Sequence, residues 1–242
     1  MLNKLFCLIK DYGLLDVVRT TFSLPHKLGD QKFAYIPCRM NMLGDPWICY
    51  LPWKMELNEA ERFGLIPKRS PSYVCVGPVG IPHWDPAISR ELQSAQYSAL
   101  KNLNLQRFNI LSYSVGTYPA FFMANRFNVD RLICVVPGSR LGAAIWEGYG
   151  TRRVRRASEL FGIKTATAYD YELYGSNPTE NLWNLPKTVD VHLSTHDYYI
   201  RTRLGEELVT MLLKVKPDTG IFRYEGRGHI QTILSFAQNS SL

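Results

Sequence analysis

Apolar and polar positions follow one another along this chain in blocks rather than in single steps. Short, nearly continuous apolar runs rich in β-branched and aromatic residues alternate with longer stretches in which apolar residues recur every three or four positions. The runs at 31–38 (QKFAYIPC), 47–51 (WICYL), 72–77 (SYVCVG), 107–112 (RFNILS), 131–136 (RLICVV), 188–193 (TVDVHL) and 220–224 (GIFRY) predict strands. Helical spacing covers 55–64, which ends at Gly64, then 86–103, 115–127 and 199–214, and a last helix opens at His229. Strands separated by helices make βαβ units, so the expected class is α/β, a mostly parallel sheet with helices on both faces.

One interval breaks the rhythm. Residues 139–186 separate two strands by far more than a crossover loop needs. They read as a partly helical lid insertion, rich in aromatic residues (Trp146, Tyr149, Phe161, Tyr169, Tyr171, Tyr174, Trp183). At the C-terminal edge of a parallel sheet, such an insertion would overhang the crevice where α/β folds bind ligands. The expected division is an N-terminal helical segment at 1–30, a core at 31–138 and 187–242, and the insertion between its halves.

The first residues form an amphipathic pattern with Leu2, Leu5, Phe6, Leu8, Ile9, Leu14 and Leu15 on its apolar side. Lys10 and Asp11 interrupt it and no small-residue cleavage site follows, which reads as a helix packed on the domain rather than a signal peptide. No apolar stretch approaches the ~20 residues of a membrane span. The cysteines, Cys7, Cys38, Cys49, Cys75 and Cys134, are five in number and show no C-x-x-C spacing. That argues against a zinc site and a disulfide framework, and for a reducing, cytoplasmic setting. The formal net charge of +7 is concentrated at Arg152, Arg153, Arg155 and Arg156. With no nucleic-acid motif beside them, these arginines read as a solvated helix face or as a site for an anionic group, not as a nucleic-acid surface.

Candidate chemistry centres on 108–123, FNILSYSVGTYPAFFM, where a buried strand runs through Ser114 directly into a helix. The string Ser112-Tyr113-Ser114-Val115-Gly116 resembles the G-x-S-x-G nucleophile elbow of the α/β-hydrolases. In that motif a strained turn lifts the serine above the sheet edge, and its neighbours two before and two after must be small because strand and helix pass close together. Gly116 fits, while Ser112 replaces the usual glycine by another small residue. A serine in a turn without chemistry remains the plain alternative.

The resemblance implies an acid after a later strand and a histidine near the C-terminus. Asp197, in Ser194-Thr195-His196-Asp197 after the strand at 188–193, stands in the acid position, and Asp190 and Glu225 are weaker choices. His229 follows Gly228 and opens the last helix; His26, His83, His192 and His196 lack that order and loop. Helix capping is the plain alternative for both residues. The resemblance further implies an oxyanion hole built from the Val115 N–H and a donor in the loop after the third strand of the fold. Here that loop is Leu51-Pro52-Trp53; Pro52 has no N–H, which leaves Trp53. The loop at Gly77–Gly80 is the alternative.

Tyr113, Trp146 and Tyr149 are the expected substrate contacts. The implied activity is cleavage of a carboxylic ester or thioester through an acyl-enzyme, on a small-molecule acyl substrate that is apolar or anionic, with no metal or organic cofactor. An acyltransferase on the same residues and a non-catalytic ligand-binding protein of the same fold are the other readings.

Overall fold

The computed structural model describes residues 34–52, 57–76, 85–148, 151–240 and 242, leaving aside the side chain of Arg153. The helix expected within 1–30, Trp53, the 77–80 loop and Tyr149 lie outside the described residues. Seven strands are present among the described residues: β1 (Ala34–Cys38), β2 (Trp47–Tyr50), β3 (Ser72–Val76), β4 (Phe108–Tyr113), β5 (Val129–Val135), β6 (Thr188–Ser194) and β7 (Gly220–Tyr224). They form one sheet in the order β1-β3-β2-β4-β5-β6-β7. Only the edge strand β1 runs antiparallel to its neighbour.

Eight helices accompany the sheet among the described residues: α1 (Leu57–Arg62), α2 (Pro86–Lys101), α3 (Thr117–Ala124), α4 (Leu141–Glu147), α5 (Arg152–Leu160), α6 (Ala166–Glu172), α7 (Thr202–Val215) and α8 (His229–Asn239). The period-two geometry of a strand sends alternate residues to opposite faces. Ile48 and Tyr50 of β2, Phe108 and Ile110 of β4, and Leu132 and Cys134 of β5 therefore join Leu100, Phe121, Met123, Leu208 and Leu212 on one face. Cys49, Leu111, Tyr113, Ile133 and Val135 join Ala60, Leu65, Ile233 and Phe236 on the other. Because both faces are covered, the central strands carry no polar alternation, which is why they read as continuous apolar runs.

Residues 139–186 hold α4, α5, α6 and a short 3-10 turn at Pro178–Glu180. A third apolar cluster joins Leu141, Ala144, Ile145, Val154, Tyr169 and Leu173 of this segment to Val115 and Tyr118, at and just after the elbow, and to Ile200 and Leu204. Asp170 of α6 is buried here and its Oδ1 accepts the N–H of Gly142 at 2.7 Å. Among the described residues, no helix is long and apolar enough to cross a membrane.

Candidate active site

Strand β4 ends at Tyr113, and Ser114 takes a left-handed backbone with φ of 53° before a 3-10 turn, Ser114–Gly116, leads into α3. For a residue with a Cβ that conformation costs roughly 1–3 kcal/mol, and packing must hold it. The packing is visible at Gly116. A Cβ added there would lie 2.6 Å from the carbonyl oxygen of Tyr50, at the end of neighbouring β2. Glycine thus lets the elbow close against the sheet. Ser112, two residues before Ser114, is fully buried and donates its hydroxyl to the carbonyl of Ile133 at 3.1 Å. A small residue that satisfies its own polar atom therefore serves where the motif usually has glycine.

Two loops at the C-terminal ends of strands converge on Ser114. His229 opens α8 after β7, and its Nε2 lies 2.8 Å from Ser114 Oγ. Asp197 follows β6, and its Oδ2 lies 2.6 Å from His229 Nδ1. All three side chains are buried. An ionised carboxylate only accepts, so Nδ1 carries the proton and Nε2 of the neutral ring accepts from the serine hydroxyl. The second carboxylate oxygen, Asp197 Oδ1, accepts the N–H groups of Tyr199 at 2.9 Å and Ile200 at 3.0 Å. The Asp197 N–H donates to Thr202 Oγ1 at 3.1 Å, and the Thr202 hydroxyl donates to the Ser194 carbonyl at 3.3 Å. The turn gathered on this carboxylate occupies 198–200, and for that reason α7 begins at Thr202 rather than at 199. On the other side, the His196 N–H and the Ser194 hydroxyl both donate to the Arg227 carbonyl, tying the acid loop to the histidine loop.

The competing residues go elsewhere. Asp190 Oδ2 accepts from Arg131 Nε at 3.0 Å and Nη2 at 2.7 Å. Glu225 is exposed. His192 lies against Phe222 and Phe236, and burial pushes its pKa down to about 4. His196 is exposed, with Nδ1 3.1 Å from the hydroxyl of Thr195.

Val115 is the first residue after Ser114, in the opening of the 3-10 turn, where a backbone N–H has no acceptor within the helix. The sheet order bears on the second expected donor. β2, not β3, is the neighbour of β4, with Tyr50 opposite Ser112, so the chain leaving β2 at Leu51 and Pro52 runs beside the elbow. β3 is one strand further from β4.

Of the three expected substrate contacts, Tyr113 is placed differently. Its side chain is fully buried on the α8 face of the sheet, edge-on to Phe236, with its hydroxyl donated to the Leu65 carbonyl at 3.0 Å. The alternation of the strand, which lifts Ser114 out of the sheet, turns its predecessor into the core. Trp146, on α4, is partly buried against Tyr169, with ring centroids 5.9 Å apart. A residue the pattern did not single out is Tyr199. Its ring lies over His229 with centroids 5.3 Å apart and planes at 37°. Its only sequence signal was position, two residues after the acid.

No protein-family model matches the sequence, and no curated protein matches it. Solved structures do. An enol-lactonase from Burkholderia xenovorans LB400 aligns with a TM-score of 0.56 and 13% identity, over 86% of this chain and 93% of its own. A hydrolase from Pseudomonas aeruginosa PA01 gives 0.54 and 12%, over 86% and 89%. A carboxylesterase structure from the thaumarchaeon Nitrososphaera gargenis gives 0.52 and 14%, over 84% and 89%. At such identities the likeness defines architecture: the chain has the α/β-hydrolase fold.

Proposed function

We propose that this protein is a serine hydrolase that cleaves a carboxylic ester or thioester through an acyl-enzyme. The observation that carries the reading is the unbroken relay Ser114 Oγ, His229 Nε2, His229 Nδ1, Asp197 Oδ2, with contacts of 2.8 and 2.6 Å, on a serine whose backbone is left-handed. The fold shared with an enol-lactonase and a carboxylesterase agrees with it.

In this mechanism His229 takes the hydroxyl proton as Ser114 Oγ attacks the substrate carbonyl. Asp197 fixes the imidazole tautomer and stabilises the imidazolium that forms. The oxyanion receives the N–H of Val115 and a second N–H from residue 53, each such donor being worth about 3 kcal/mol in comparable enzymes. His229 then gives its proton to the departing alcohol or thiol. Water, deprotonated by the same ring, cleaves the acyl-enzyme. The chemistry calls on side chains, backbone amides and water.

The same reading makes 139–186 a cap over the acyl side, supported by the cluster that joins Leu141, Ala144 and Ile145 to Val115 and Tyr118. Cytoplasmic residence belongs to it as well, supported by the free thiols of Cys38, Cys49, Cys75 and Cys134. Labelling with a fluorophosphonate probe, followed by mass mapping, tests the core of the proposal. Modification at Ser114 that vanishes in Ser114→Ala is the expected result. Folded, monodisperse protein that takes no label would overturn it in favour of a ligand-binding protein of the same fold.

A further inference from the structure

In the acyl-transfer mechanism, which this inference rests on, the proton taken by His229 leaves on the departing alcohol. The leaving group must therefore sit beside His229 Nε2, on the histidine side of Ser114. What borders the histidine decides which leaving groups bind well.

Tyr199 borders it. The ring covers the imidazole at 5.3 Å between centroids, yet the residue remains 47% exposed, so part of the ring is open to a ligand. Its backbone is held from two sides. The N–H donates to Asp197 Oδ1 at 2.9 Å. The carbonyl presses on Gly148, where any Cβ would overlap it, at the end of α4. The neighbouring residues keep that junction in register: Arg201 Nε donates to the Glu147 carbonyl at 2.9 Å, and Arg203 Nε to Glu147 Oε2 at 2.8 Å. The backbone that carries Tyr199 is thus held in place, and its ring presents an apolar face beside His229.

We propose that Tyr199 is a specificity-determining wall of the leaving-group subsite, and that the enzyme prefers esters of apolar, aromatic alcohols over esters of small ones. The dispersion and ring–ring contact available to one aromatic group corresponds to about tenfold in rate.

The test compares benzyl and methyl esters of one acid, whose alcohols have similar acidity. The readout is the ratio of their kcat/KM values, which a general disturbance of the histidine would scale out. The wild-type protein is expected to favour the benzyl ester by about tenfold, Tyr199→Phe to keep that ratio, and Tyr199→Ala to lose most of it. Equal turnover of the two esters by the wild-type protein, or a preference untouched in Tyr199→Ala, would sink the proposal while leaving the hydrolase reading intact. Absence of Ser114 labelling in the wild-type protein would instead remove the hydrolase reading, and this inference with it. Should Tyr199→Ala fold poorly, the wild-type protein supplies a second measurement. Benzyl alcohol is expected to slow fluorophosphonate labelling of Ser114 where methanol at the same concentration does not, and equal effects of the two alcohols count against the subsite.

Discussion

Asp197 divides its carboxylate between His229 and the backbone: Oδ2 meets His229 Nδ1 at 2.6 Å, while Oδ1 gathers the N–H groups of Tyr199 and Ile200. One side chain thus orients the imidazole and builds the turn that aims it.

The two duties can be separated. Asp197→Asn keeps an amide oxygen for the turn and puts its NH2, a donor, in place of the acceptor that faces Nδ1. We expect kcat/KM to fall about ten-thousand-fold with little change in urea midpoint. Asp197→Ala loses the turn as well, and should cost a further ~1 kcal/mol of stability. Equal urea midpoints for the two variants would show that the Oδ1 bonds hold nothing in place.

At Gly116 the conflict is steric. The Cβ of Gly116→Ala would meet backbone, the Tyr50 carbonyl at 2.6 Å, and backbone in a central strand cannot swing aside. A loss of about 1–3 kcal/mol in urea unfolding is expected, with reduced labelling of Ser114 as the elbow lifts from β2. A variant with wild-type stability and reactivity would show that strand and elbow are not in fixed contact.

Tyr113→Phe distinguishes a core tyrosine from a substrate contact. Removing the hydroxyl strands the buried Leu65 carbonyl, which is expected to cost about 1–3 kcal/mol, while kcat/KM stays at the wild-type value. A changed KM with unchanged stability would return Tyr113 to the substrate site.

Asp170 gives the fold a pH signature of its own. Burial raises its pKa to about 6, against the lowering effect of the Gly142 N–H and of Arg140. The native protein therefore holds a proton that the unfolded chain has already released near pH 4, and stability falls as pH rises from about 4 through about 6. Asp170→Asn retains an oxygen for the Gly142 N–H and carries no charge. Its advantage over the wild-type protein should reach about 1–3 kcal/mol above pH 7 and shrink toward pH 4, read from urea midpoints across that range. An advantage independent of pH would mean that the carboxylate is not desolvated.

Much of this molecule is written locally. A strand buried on both faces is apolar at most positions, so β2, β4 and the second half of β5 were legible as runs, whereas β6 alternates Val189, Val191 and Leu193 with the buried polar residues Asp190, His192 and Ser194. An elbow pressed against its neighbouring strand must be small at Ser112 and Gly116, and an acid and a histidine following separate strands leave few choices. What the sequence by itself determined was therefore the βα rhythm, the elbow and the order of the three polar residues.

Tertiary structure decided the rest, because it depends on which strands become neighbours. The order β3-β2-β4 puts the end of β2, with Leu51 and Pro52, beside the strand that leads into Ser114. The bonds of Arg131 to Asp190 remove a competing acid from a stretch where the sequence left both open. Strand alternation and the fit of Phe236 turn Tyr113 inward, and the turn built on Asp197 carries Tyr199 over a histidine thirty residues further along the chain. Such contacts join segments distant in sequence, and no local pattern of apolar and polar positions encodes a distance that exists only after the sheet has assembled.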